Sequence, residues 1–191
     1  YLNKGNMKFE DVTKAAGVEC AKGWKTGVTM ADVNADGLLD IYVCRSGPIN
    51  DPTLRENLLY INNGDVTFTE SAAEYGLNAN GHSTMAYFAD LDNDSDLDMY
   101  LVSHRTDWHM NTRIIISADF LPTEFETDRM FINNGNGKFA DVTETSGIKN
   151  KAWGLGAVIG DFNNDGFNDV YVANDFLEPD FLYINAHNGT F

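Results

Sequence analysis

The sequence predicts an all-β fold of four-stranded antiparallel sheets in tandem, the arrangement of β-propeller blades. Three observations predict it. A nonapeptide with oxygen-bearing side chains at positions 1, 3, 5 and 9 occurs three times, at residues 32–40, 90–98 and 161–169. Short β-branched and aromatic runs flank each copy, and such runs read as strands. A third signal, Asn and Gly between two apolar runs, recurs at residues 2–9, 61–68, 132–139 and 184–191. Those residue types tolerate the positive φ of a tight hairpin.

The elements follow in order. Residues 27–31, 85–89 and 156–160 form strand A of each unit, and the nonapeptide is the A–B loop. Strand B opens at Asp40, Asp98 and Asp169. A variable loop leads to strand C, then the Asn-Gly hairpin, then strand D. Residues 9–17, 68–76 and 139–147 echo one another as a short strand followed by a turn into the next unit. The chain divides into a leading C–D hairpin and connector at 1–22, a blade at 23–80, a blade at 81–151 with an insert at 103–129, and an incomplete blade at 152–191. The nonapeptides are spaced 58 and then 71 residues apart.

The nonapeptides point to metal chemistry. Hard cations such as Ca²⁺ take six to eight oxygens in one tight loop, usually with a backbone carbonyl near position 7. The candidate ligands are Asp32, Asn34, Asp36, the Leu38 carbonyl and Asp40 in the first loop. They are Asp90, Asp92, Asp94, the Asp96 carbonyl and Asp98 in the second, and Asp161, Asn163, Asp165, the Phe167 carbonyl and Asp169 in the third. An EF-hand is excluded, because it needs Glu at position 12 and a helix on each side. Position 12 here is Val43, Leu101 and Val172. About three Ca²⁺ sites are expected.

These repeats resemble FG-GAP/VCBS repeats, the blade type also found in the integrin α-subunit head. Residues 160–166 and 171–176, followed by Leu182-Tyr-Ile-Asn185, are similar to bacterial ASPIC/UnbV-type secreted proteins, which are cartilage acidic protein-like. The resemblance implies that the Ca²⁺ ligands are the Asp and Asn residues named above, and that the module serves recognition, adhesion or assembly at the cell surface. One position departs from the pattern. The second loop has Ser95 where the others have Gly37 and Gly166, and positive φ costs more with Ser.

Closure of a propeller takes about four to eight blades, so about three blades imply part of a larger, seven-bladed ring completed by other blades of a longer protein. Assembly of several fragments is the alternative. The net charge is −16, and 11 of the 29 acidic residues lie inside the three loops. Three Ca²⁺ would reduce that charge to −10, and the remaining acidity argues against nucleic acid or anionic membrane as partner. No apolar run approaches the ~20 residues of a membrane span. Calcium loops suit an extracellular or cell-surface setting, such as a bacterial outer membrane with the protein held as a lipoprotein. Cys20 and Cys44 fall at the same end of one blade, as a disulfide or as two separate thiols.

Ligand-binding candidates lie away from the metal loops. The long B–C insert carries Arg105, Trp108 and His109, which either bind a sugar ring or protein, or pack the loop onto its own blade. Trp24, His82 and Trp153 each precede the first metal ligand by eight residues. They are expected at equivalent places near the mouth of the central channel, as a stacking surface or as blade-to-blade packing. Tyr42, Tyr100 and Tyr171 are expected to fill the sheet-to-sheet interface. No nucleophile elbow, His-Glu-x-x-His or phosphate loop is present. The expected function is therefore a non-catalytic calcium-binding module with a glycan or protein partner. The alternative is the propeller part of a polysaccharide-processing enzyme.

Overall fold

The computed structural model describes residues 1–106, 126–175 and 178–191. A two-stranded ribbon, β1 (Leu2–Asn3) and β2 (Phe9–Glu10), precedes three larger sheets. The first holds β3 (Trp24–Ala31), β4 (Asp40–Ser46), β5 (Leu58–Asn62) and β6 (Phe68–Glu70) in that order. The second holds β7 (Ser83–Ala89), β8 (Asp98–Ser103), β9 (Arg129–Asn133) and β10 (Phe139–Asp141). The third holds β11 (Gly154–Gly160), β12 (Asp169–Asn174) and β13 (Phe181–Tyr183). Every neighbouring pair is antiparallel, as short connections between sequential strands require. The all-β blade architecture expected from the repeats is what the chain adopts.

The turn after strand D is a single helical turn in two units, α1 (Ala72–Tyr75) and α2 (Thr143–Ser146). Gly76 and Gly147 close these turns at φ 77° and 84°, the left-handed conformation that glycine adopts without a Cβ penalty.

The core lies between the sheets. Tyr42, Leu59, Ala86, Met99, Leu101 and Phe131 join the first sheet to the second. Tyr100, Val102, Met130, Ile148, Val170 and Val172 join the second to the third. The middle sheet is therefore apolar on both faces, which explains why β8 is buried along its whole length. Tyr171 departs from the expected series: it is 38% exposed where Tyr42 and Tyr100 are 1% and 0%. Among the described residues no sheet covers that face of β12, and Leu182 beside it is likewise exposed.

The inner strands β3, β7 and β11 share a register irregularity near the same point, at Lys25/Gly27, Ser83/Met85 and Gly154/Gly156. The bulged residues are Thr26, Thr84 and Leu155. The Thr26 hydroxyl donates to the Ser83 carbonyl at 2.6 Å, and the Thr84 hydroxyl donates to the Gly154 carbonyl at 3.2 Å. A bulge re-aims a side chain, and here it turns a hydroxyl onto the next sheet's inner strand.

A second repeated device closes the same end of each sheet. Asn57, Asp128 and Asp180 each stand one residue before strand C. Their side-chain oxygens accept the backbone N–H of Arg45, Ser103 and Asn174. Asn57 donates to the Tyr42 hydroxyl, whereas Asp128 and Asp180 accept from the Tyr100 and Tyr171 hydroxyls. The cysteines are two separate thiols. Cys44 is buried between sheets, where desolvation pushes its thiol up to about 12, and the Cys20 thiol meets the Lys22 carbonyl.

Candidate metal centre

Each A–B loop folds around its position-1 aspartate. Asp32 accepts the N–H of Asp36 and Gly37 at 3.0 and 2.8 Å, and Asp161 accepts those of Asp165 and Gly166 at the same distances. Asp90 does the same for Asp94 and Ser95 at 3.1 and 3.0 Å. The turn needs positive φ at two places. Position 6 is Gly37, Ser95 and Gly166 at 85°, 79° and 89°, so the departure at Ser95 does fall on a left-handed position. Position 4 is Ala35, Asn93 and Asn164 at 58°, 71° and 61°.

Position 9 is the structural centre of each loop. Asp40, Asp98 and Asp169 are fully buried. One carboxylate oxygen of each accepts from the N–H at position 2, on Val33, Leu91 and Phe162, at 3.1, 2.8 and 2.9 Å. The other accepts from the N–H of Asn62, Asn133 and Asn185 at 2.8, 2.9 and 2.8 Å. The amides of these three asparagines donate back to the position-8 carbonyls of Leu39, Leu97 and Asn168. The first Asn of each of the last three hairpin signals therefore clamps the A–B loop to strand C. Sequence reasoning assigned it to hairpin conformation alone, and its recurrence 22, 35 and 16 residues after position 9 was the available signal.

The residues fit a hard dication. Carboxylate oxygens of Asp90, Asp92 and Asp98 lie within 4.8 Å of one another. Burial raises the carboxyl of Asp98 to about 7 and raises those of Asp40 and Asp92, with neighbouring aspartates adding to the effect. Burial and the surrounding aspartates also raise Asp96, one of whose carboxylate oxygens is buried without a hydrogen-bond partner. Each accepting oxygen retains a second lone pair for a cation. The third loop carries an added group. His187, at φ 62°, takes the place held by Gly64 and Gly135 in the other hairpins. Its ring stacks on Phe167 with centroids 4.0 Å apart, and Nε2 lies 2.7 Å from Asp165 Oδ2.

The FG-GAP-like repeat family matches residues 49–101 and 115–172, more than half of the sequence and including the second and third loops. The chain belongs to the FG-GAP-like repeat family. The first loop lies outside the matched segments yet keeps the same hydrogen bonds, so this FG-GAP-like chain repeats the motif three times. It is also 27% identical over 179 residues to cartilage acidic protein 1 of Mus musculus, covering 91% of this chain and 24% of that protein. It thus spans about a quarter of the length of that curated relative.

The other candidate residues of the FG-GAP-like chain separate. Trp24 and His82 line one cavity of about 590 Å³ at the end of the inner strands opposite the metal loops. Trp153 instead lies buried beneath Arg105, whose guanidinium carbon sits 4.3 Å from the ring centroid. Arg105 is itself buried and pairs with Glu178 at 3.6 Å. Trp108 and His109 lie outside the described residues.

Proposed function

We propose that this chain is a calcium-stiffened, non-catalytic recognition module that works outside the cell or at its surface and binds a glycan or a protein. The supporting observation is the thrice-repeated clasp at position 9, a fully buried carboxylate that holds the A–B loop to strand C. Buried charges are expected to be paired or to coordinate metals. Among the described residues no ion pair involves Asp40, Asp98 or Asp169.

Ca²⁺ would be held by Asp32, Asn34, Asp36, the Leu38 carbonyl and Asp40, and by the equivalent sets at 90–98 and 161–169. It would supply positive charge and no chemical step. The chain's own residues preform the loop: position 1 orients the turn, position 9 ties it to strand C, and Asn62, Asn133 and Asn185 lock that tie. An extracellular setting, with abundant calcium, agrees with the acidity of the chain and with its cartilage acidic relative.

Thermal melting of metal-stripped protein, with and without millimolar Ca²⁺ and with Mg²⁺ as control, tests the reading. A ligand at ~100 times its Kd stabilises by about 2.7 kcal/mol per site. A domain of this size gains roughly 2–4 °C per kcal/mol. The expected result is a rise specific to Ca²⁺; no shift overturns the calcium assignment.

A further inference from the structure

We propose that the cavity between Trp24 and His82 is a binding site for a neutral carbohydrate, with a sugar ring stacked on Trp24 and a hydroxyl bonded to His82 Nε2. The proposal rests on the recognition reading above and gives it a place and a ligand class.

The cavity spans all three inner strands, because the bulged residues Thr26, Thr84 and Leu155 all line it. Its volume of about 590 Å³ is in the ordinary range for small-ligand pockets, ~300–1,000 Å³. Its chemistry is unlike the rest of the molecule. The chain carries 29 Asp and Glu and 13 Lys and Arg, yet among the described residues none of these lines the cavity. The walls are apolar side chains, hydroxyls and imidazoles. A charged ligand would find no countercharge among these described residues.

His82 supplies the directional group. Its side chain is buried, at 6% exposure, and Nδ1 lies 2.9 Å from the Ser46 hydroxyl. Nε2 makes no hydrogen bond among the described residues, and His82 is one of the residues that line the cavity. Burial and the nearby Arg55 lower the imidazole's affinity for a proton, and in a neutral ring the second nitrogen offers one donor or one acceptor according to its tautomer. Ser46 fixes the ring orientation. A ring nitrogen held in one orientation at the wall of a cavity offers a ligand hydroxyl a directional hydrogen-bond partner.

Trp24 supplies the platform. Trp24 is 62% exposed, with exposed Ile49 and Leu155 also at the cavity. A large ring held in water gains by covering its face. The C–H face of a pyranose covers an indole while its equatorial hydroxyls reach polar atoms at the edge. A neutral ligand with one apolar face and many hydroxyls matches this lining on both counts.

The test is a panel of immobilised neutral and acidic oligosaccharides, with proline-rich peptides alongside. It is probed with the calcium-loaded protein, with Trp24→Ala and with His82→Gln, each first shown to melt with its calcium shift. The expected result is retention of at least one neutral glycan, weakened tenfold or more by Trp24→Ala and by His82→Gln. Because Trp24 is exposed, Trp24→Ala should leave the melting temperature unchanged and keeps the test valid if His82→Gln folds poorly. Retention of no glycan, of acidic glycans alone, or of proline-rich peptides instead overturns the proposal. Glycan binding indifferent to Trp24 overturns this site. Loss of the calcium shift in the parent protein would instead strike the metal reading, so the two failures are distinguishable.

Discussion

Removing the carboxylate of Asp98 separates its structural role from its role towards a metal. Asp98→Ala leaves two buried donors, the N–H groups of Leu91 and Asn133, without their acceptor. An unsatisfied buried donor costs about 1–3 kcal/mol, so the pair costs roughly 2–6 kcal/mol. A compensating gain depends on pH. The folded-state pKa is raised from 3.8 to about 7 by burial, so the native state binds the extra proton between those values. Stability of the metal-free protein therefore falls as pH rises through that window. About three pH units at 1.36 kcal/mol each give about 4 kcal/mol, and residual solvent screening reduces this to about 2. The variant escapes all of that cost at pH 7.5 but only about a third of it at pH 5. In metal-free buffer Asp98→Ala should therefore lower Tm by roughly 4–20 °C at pH 5 and by several degrees less at pH 7.5. Asp92→Ala removes another carboxylate of the same cluster but not the clasp, because Asp92 is exposed. It should melt like the parent without calcium and lose only the second loop's share of the calcium shift. Calorimetric scans of the three proteins with and without Ca²⁺ give the comparison. Parent-like melting of Asp98→Ala at pH 5 would refute the clasp; a full calcium shift in both variants would refute this loop as a calcium site.

Close approach of the inner strands gives a second prediction. A Cβ on Gly27 would stand 2.3 Å from the Thr84 carbonyl oxygen, whereas one on Gly160 meets nothing within 4 Å. Gly27→Ala should cost about 1–3 kcal/mol or more and Gly160→Ala should gain about 0.4–1 kcal/mol, as read by chemical denaturation. Asp128 is fully buried and its carboxyl is raised by that burial, so it too favours the metal-free fold at lower pH. Asp128→Asn installs the residue type that the first sheet already carries at Asn57. It should flatten the decline of metal-free stability with rising pH while changing stability by about 1 kcal/mol or less at neutrality. A profile as steep as the parent's would exclude Asp128 as a source of the decline. His187→Gly removes the imidazole from Asp165 Oδ2, leaving only the Asn163 amide on that oxygen, and installs the residue found at Gly64 and Gly135. It should raise calcium affinity at the third loop in titration calorimetry, and an unchanged or weaker site would show that His187 does not compete.

The strands and loops were legible because their signals are periodic and local. Clustered aspartates at fixed spacing mark the A–B loop, and β-branched runs mark its flanks. What escaped were contacts between parts distant in sequence. Position 4 of the loop carries positive φ on Ala35, a residue that gives no hint of it. Asn57, Asp128 and Asp180 look like ordinary loop residues until strand B is seen to end on them. Tyr171 reads like Tyr42 and Tyr100, yet its exposure depends on a neighbouring sheet that its own sequence does not encode. Trp24 and Trp153 occupy the same repeat position, but Arg105 covers only the second. Repeat position sets the backbone; the neighbouring blade decides what the side chain meets.

Asp98 also explains how a metal at the second loop would stiffen a whole sheet. It is the first residue of strand B, and it accepts from the loop residue just after strand A and from the end of strand C. Three strands therefore converge on one buried carboxylate. Without a cation, its ionisation at neutral pH weakens the point on which the sheet depends. With one, the same ionisation strengthens it, because the charged form accepts stronger hydrogen bonds and binds the metal. Calcium would thus reverse the sign of the pH dependence at this group, so that raising pH from 5 to 7.5 destabilises the stripped protein and stabilises the loaded one. Parallel pH profiles in the two states would rule out this coupling even if calcium raised Tm at every pH.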